Sequence, residues 1–199
     1  MAKTVEGKAN ARKIANDESP EVAITVFNSV MDSLLPGTVD ECDMYIFTAH
    51  QVLAEWLAVA DGLGRHGFRR CGILVWQKDG PGMGDLDGSW GMGHEFILFL
   101  KKGNRPRTSG VTRRSGVLAI PQLRPNQLIH PHEKPTALLS ELIRFSTNPG
   151  DFIVDPFGGS GSTVRAARET GRSAVAIELE QNNWEIANNR LLSQETAMF

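Results

Sequence analysis

Apolar residues recur every three to four positions through "SPEVAITVFNSVMDSLLPG", which predicts a helix. Ser19 can cap its first turn, Pro20 takes the first helical position, and Pro36-Gly37 ends it. "DMYIFTA" shifts to aromatic and β-branched residues and predicts a strand. Helical spacing returns in "HQVLAEWLAVADGLGRHGF" up to its glycines, and "RRCGILVWQK" is a second strand. Strand, helix, strand is the α/β pattern, and the unbroken apolar run "ILVW" predicts a parallel sheet covered on both faces.

The glycine-rich stretch from Asp79 to His94 predicts no regular element, and "EFILFLKKG" after it is a strand. Residues 103–129 carry no period; a connection this long in a compact domain is more often functional or disordered than neutral. The pattern then resumes. "KPTALLSELIRFST" is a helix, "DFIVD" a strand, "STVRAARETG" a helix closed by Gly171, "SAVAIELE" a strand and "NNWEIANNRLL" a helix. At 199 residues without an internal repeat, one domain is expected.

Composition narrows the class. With 41% hydrophobic and 22% charged residues the chain reads as globular, and its longest apolar runs are too short to cross a membrane. The polar start "MAKTVEGKANARKIANDESP" lacks the apolar middle of a secretory signal, so a cytoplasmic location is expected. Cys42 and Cys71 have no companion ligand pair and are expected to be packing thiols, with no metal. A net charge of -2 argues against a protein that coats nucleic acid without specificity. That average hides one basic region: Lys101, Lys102, Arg105, Arg107, Arg113, Arg114 and Arg124 fall in a stretch with no Asp or Glu.

Candidate chemistry concentrates in "VDPFGGSGSTVRAARETGRSAVAIELE", a strand, glycine turn, helix and second strand ending on acid. Such a turn aims backbone N–H groups and the helix dipole at a ligand. Glu178 stands 17 residues beyond Gly161, near the spacing of about 20 at which an acid meets ribose hydroxyls, so an adenosine-containing ligand is expected. No lysine precedes Ser162-Thr163, which argues against an ATP phosphate loop. Val164 replaces the third glycine of a dinucleotide fingerprint, and Asp155 before the turn would repel a pyrophosphate while suiting the ammonium group of S-adenosylmethionine. A nicotinamide ligand and a turn that only packs helix on strand stay open on these residues. Upstream, "HPHEKP" from His130 to Pro135 is by itself either a metal half-site or a rigid loop.

Taken in order, "HPHEKP", "DPFGGSGST" and "IELE" resemble three linked motifs of the permuted, beta-class amino DNA methyltransferases of bacteria and phages, which modify adenine N6 or cytosine N4. "GKANARKIANDESPE" and "GHEFILFLKKG" are similar to earlier segments of that family, so the resemblance covers most of the chain. It implies an α/β, Rossmann-like methyltransferase sheet with helices on both faces, binding S-adenosylmethionine. By this resemblance Asp155, Phe157, Gly158, Gly159, Ser160 and Gly161 surround the cofactor, with Ser162 and Thr163 at the helix start. His130, Lys134 and Pro135 close its other side, and Glu178 takes the ribose hydroxyls. Residues 103–129 become a target-recognition segment for double-stranded DNA. Lys101, Lys102, Arg105, Arg107, Arg113 and Arg114 would then meet phosphates and base edges.

The family's catalytic tetrapeptide, [DNS]-P-P-[YFW], has no match: "SPEV", "GPGM", "RPNQ" and "NPGD" fail, and "DPFG" belongs to the cofactor motif. No catalytic residue is therefore assigned. The expectation is a single methyltransferase domain, incomplete at its N-terminus, without the strand that carries the catalytic loop and with an open seam in the sheet. A second chain or an upstream segment would supply that strand; the rival expectation is a non-catalytic cofactor- or DNA-binding subunit, or a gene remnant of such an enzyme. His94-Glu95 reads as a loop anchor, and Trp90 as a cap over the core or a base-stacking ring.

Overall fold

The computed structural model describes residues 19–80, 88, 90–104, 113–124, 126, 128 and 133–196. Helix α1 (Pro20–Leu34) starts as its sequence predicts, with the Ser19 hydroxyl accepting the Val22 N–H at 3.4 Å. Strand β1 (Cys42–Thr48), helix α2 (Leu53–Gly62), β2 (Phe68–Gln77), β3 (His94–Lys102) and the short β4 (Val117–Ala119) follow. The second half is α3 (Thr136–Ser146), β5 (Phe152–Asp155), α4 (Ser162–Glu169), β6 (Ser173–Ala176) and α5 (Gln181–Thr196).

The strands form two sheets, one ordered β1-β3-β2-β4 and one consisting of β5 and β6. Both β1 and β2 run antiparallel to β3, so they are parallel to each other but separated by it. Parallel pairing is confined to β2 with β4 and β5 with β6. This corrects the wholly parallel sheet expected from "ILVW". An apolar run reports that a strand is covered; the direction of its neighbours is set by where the chain returns.

Helices cover both faces of the larger sheet. On one, Phe27, Met31, Val59, Ala60 and Leu63 of the α1–α2 layer enclose Ile46, Leu98 and Leu100. On the other, α3 sets Leu138 and Leu142 against Trp76 and Ile97. Its adjacent stripe, Leu139 and Ile143, packs on Ala166 and Ala167 of α4, with Ile153 and Ala174 of the smaller sheet beside them. Phe47 of β1 touches both clusters, so the free edge of β1 lies next to the β5–β6 pair under one helix. Among the described residues no strand joins the two sheets.

Polar contacts fix the relative directions. The Ser146 hydroxyl, at the end of α3, bonds Tyr45 and Asp43 early in β1, while Lys134, just before α3, lies over Phe47 late in β1. Helix α3 is thus antiparallel to β1, and β5, returning after it, runs the same way as β1. The carboxyl ends of β1, β2 and β5 consequently share one end of the molecule, where open α/β sheets take their ligands.

Cys42 packs against the α1–α2 core as expected. Cys71 does not: it is exposed beside the bulge between Arg70 and Gly72, which breaks the inward–outward alternation of β2. Among the described residues no helix is long and apolar enough to cross a membrane, and no cluster of His, Cys, Asp or Glu could hold a metal ion.

Candidate functional site

The turn after β5 is built by glycines with different constraints. Gly158 lies flat on β6: its N–H donates to the Ile177 carbonyl at 2.7 Å, and a Cβ there would stand 2.7 Å from the Ala176 Cβ. Gly161 has φ of +76° and abuts Ala187 of α5, where a Cβ would come within 3.1 Å. Gly159 is left-handed too, at φ +51°, but has nothing within 4 Å of its virtual Cβ. The turn is clamped on two sides and open at its middle residue. That open space is what a ligand approaching the backbone needs.

Glu178 lies across this turn. Its carboxylate accepts the Gly159 N–H at 2.7 Å through Oε2 and the Glu180 N–H at 2.8 Å through Oε1. Each oxygen keeps a lone pair, so the group can still accept hydroxyl protons from a ligand while held rigidly beside the open glycine. Asp155 takes the Phe157 N–H at 3.0 Å, which locks the corner that leaves β5, and the Phe157 ring stacks on Phe27 with centroids 6.0 Å apart.

The N-cap of α4 is Gly161, which has no side chain to accept the first-turn N–H groups. Ser160 and Ser162 pair at 3.2 Å, and the Ser162 hydroxyl reaches the buried Glu133 carboxylate at 3.4 Å. Glu133 therefore places its negative charge at the positive end of α4 from a different part of the chain. Next to it, Lys134 points the other way. Its ammonium donates to Glu95 Oε2 at 2.8 Å, and Lys78 donates to Oε1 of the same carboxylate at 2.7 Å. The Lys134 ammonium also lies over the Phe47 and Trp76 rings, and that of Lys78 over Trp76. Burial raises the affinity of Glu95 for a proton, but the two ammonium groups outweigh it and hold the carboxyl below the usual glutamate range.

Asp155, Phe157, Gly158 to Thr163 and Glu178 thus gather at one turn, and the buried Pro135 starts α3 close by. Lys134 leaves that group for Glu95. His130, Arg105 and Arg107 lie outside the described residues. Lys101 and Lys102 fall at the opposite end of β3 from Glu95, about 20 and 24 Å away by the rise of a strand, and are occupied by Asp43 and Thr38. Arg114 pairs with Glu141 of α3, while Arg113 is exposed. Sequence reading passed over Glu133, hidden inside "HPHEKP", and Lys78. It also took Glu95 for a loop anchor, whereas His94 and Glu95 open β3 and Glu95 joins two lysines. Trp90 is 88% exposed, so it does not cap the core.

The family model of the N6/N4 methyltransferases, described as DNA methylases, matches residues 11–189. The chain belongs to this family. Among its relatives, the type II methyltransferase M2.DpnII of Streptococcus pneumoniae is 45% identical over 62 residues, 31% of this chain and 23% of that protein. YubD of Escherichia coli (strain K12) is 42% identical over 69 residues, 35% of this chain and 30% of that protein. The chain thus aligns with less than a third of either relative's length. Solved structures of the same fold extend further. M1.HpyAVI in complex with SAM superposes with a TM-score of 0.72 at 24% identity, covering 87% of this chain and 85% of that one. The cytosine-N4-specific PvuII DNA methyltransferase gives 0.69 at 15% identity, covering 85% and 71%. For an N6/N4 methylase the relevant group is S-adenosylmethionine, and the turn fits it: space at Gly159, a fixed acceptor in Glu178, and no lysine to hold a triphosphate.

Proposed function

We propose that this chain is the cofactor-binding body of an S-adenosylmethionine-dependent DNA methyltransferase acting on an exocyclic base amine, adenine N6 first and cytosine N4 second. The observation that carries this is the Gly159–Glu178 contact, a rigid carboxylate beside an open glycine at the carboxyl end of β5. Asp155, Phe157, Gly158, Ser160, Gly161, Ser162 and Thr163 form the cofactor's cradle in this reading, with His130 and Pro135 on its far side. The bound cofactor supplies an electrophilic methyl group; the protein must supply acceptors for the amine protons and a ring to hold a base turned out of its duplex.

Those last parts are the work of the [DNS]-P-P-[YFW] loop, and the place for its strand is the seam between β1 and the β5–β6 pair. An upstream segment or a second chain would enter there. Residues 103–129 serve as the target-recognition segment; within it, 113–124 runs beside the carboxyl end of β2, tied by Trp76 Nε1–H to the Ile120 carbonyl at 2.7 Å. A cytoplasmic location, where DNA is at hand, belongs to the same reading.

Calorimetric titration of the 199-residue chain with S-adenosylmethionine tests the cofactor assignment. Binding that is lost in Glu178→Ala supports it; a folded wild-type chain without binding overturns it. Adding a segment that carries the tetrapeptide, in cis or as a second chain, then separates the enzyme from the non-catalytic subunit, since only the former transfers methyl groups to a DNA duplex.

A further inference from the structure

Lys78 has no part in the cofactor turn and lies outside "HPHEKP", "DPFGGSGST" and "IELE", yet a carboxylate and a tryptophan ring hold it in place. We infer that Lys78, set by Glu95 together with Lys134, is an anchor for a DNA phosphodiester; this rests on the DNA-methyltransferase reading and adds the residues that hold the strand.

Three observations support the assignment. The first is position. Lys78 follows the last residue of β2 and Glu95 opens β3, so the cluster sits at the ligand end of the sheet, beside residues 113–124 and in sequence contact with Glu133 at the cofactor turn. The second is charge. Two ammonium groups share one carboxylate, so these three groups together carry a net positive charge, and their side chains are only 17–23% exposed. Low exposure strengthens the attraction for an anion compared with a lysine in free solvent. The third is geometry. Each ammonium has three donors and spends one on Glu95, and the rings of Trp76 and Phe47 restrict the stems, so the remaining N–H groups are held in place before any anion arrives.

Lys101 and Lys102, the conspicuous basic pair in the sequence, are the contrasting case. They lie at the other end of β3 with their ammonium groups turned to Asp43 and Thr38. Glu95 in this account is a positioning residue: it touches the anion only through the lysines.

The experiment is a salt titration of binding to a short mixed-sequence DNA duplex, with S-adenosylmethionine affinity measured in parallel. Each phosphate contact removed flattens the dependence of log K on log salt by about 0.9. Lys78→Gln is expected to flatten it by about that amount, Lys78→Arg to restore it, and Lys102→Gln to leave it unchanged, with cofactor affinity the same in all three. A slope unchanged in Lys78→Gln, or a loss confined to cofactor affinity, overturns the anchor and leaves the methyltransferase reading standing. A wild-type chain that binds cofactor but no duplex also overturns it, whereas one that binds no cofactor refutes the underlying reading. Should Lys78→Gln not fold, acetylation footprinting of the wild-type protein decides: duplex is expected to protect Lys78 and Lys134 but not Lys102, and equal labelling with and without duplex overturns the proposal.

Discussion

Two adjacent glycines in the turn after β5 should fail in opposite ways when given a methyl group. In Gly158→Ala the new Cβ would lie 2.7 Å from the Ala176 Cβ and 3.3 Å from the Ile177 carbonyl oxygen. Carbon atoms pack at about 3.5–4.0 Å, so the overlap approaches 1 Å and falls on a Cβ that is fixed to the strand and cannot rotate away. Overpacking of this kind costs about 1–3 kcal/mol. The 2.7 Å hydrogen bond from the Gly158 N–H to Ile177 is displaced as well, worth about 1 kcal/mol. The expected loss is about 2–4 kcal/mol, or roughly 4–16 °C in melting temperature for a chain of this length. In Gly159→Ala the methyl meets nothing within 4 Å, and the cost is that of a left-handed alanine, about 1–2 kcal/mol. That methyl occupies the room left for the ligand, so cofactor binding should suffer more than stability. Thermal denaturation and calorimetric titration on both variants distinguish the two effects. A Gly158→Ala melting point within about 1 °C of wild type refutes the packing account, and a Gly159→Ala chain that binds S-adenosylmethionine normally refutes the ligand's placement.

Glu178→Ala leaves the Gly159 and Glu180 N–H groups without their acceptor; a loss of about 2 kcal/mol in urea denaturation is expected, and wild-type stability would argue that the turn holds its shape unaided. Glu95 has its carboxyl held below the ordinary value of about 4.3, so the stability it contributes is present above that pH and is lost as pH falls through the lower folded-state value. Glu95→Gln should therefore lack the part of the acid destabilisation that wild type displays as pH falls below about 4.3, read from melting temperatures across the acid range; identical curves would show that the lysines do not govern this carboxyl. Trp76→Phe removes the indole N–H bond to the Ile120 carbonyl and should cost about 1 kcal/mol, with faster amide exchange at Leu118 and Ile120; unchanged exchange there would mean that β4 is held by its pairing with β2 alone.

Much of the fold was legible because its signals are local. Ser19-Pro20 announces the start of α1 in two residues, and the acid–proline–glycine sequence from Asp155 to Gly161 announces the turn that leads into α4. What escaped depends on contacts distant along the chain. Nothing in "ILVW" says that β3 will return between β1 and β2, because that is decided by a segment some twenty residues later. The basic residues looked like one patch since they are close in sequence, but β3 carries Lys101 and Lys102 to the far end of the sheet. Lys78 and Glu95 are separated by 17 positions, and only strand pairing brings them together. Cys71 was misjudged for a smaller reason, a bulge that shifts one side chain outward.

Helix α3 has an outcome for how the molecule comes apart. Its two apolar stripes, Leu138 with Leu142 and Leu139 with Ile143, each belong to a different sheet, and among the described residues those sheets share no ladder of hydrogen bonds. Among the described residues, the coupling between the two halves runs chiefly through this eleven-residue element, with Phe47 and the Phe27–Phe157 stack beside it. Its amides should be exposed only when both halves open, while β5 and β6 can detach as a smaller unit at lower free energy. A strand docked in the seam would merge the two units into one, and its arrival would be read as a single, later transition in place of two.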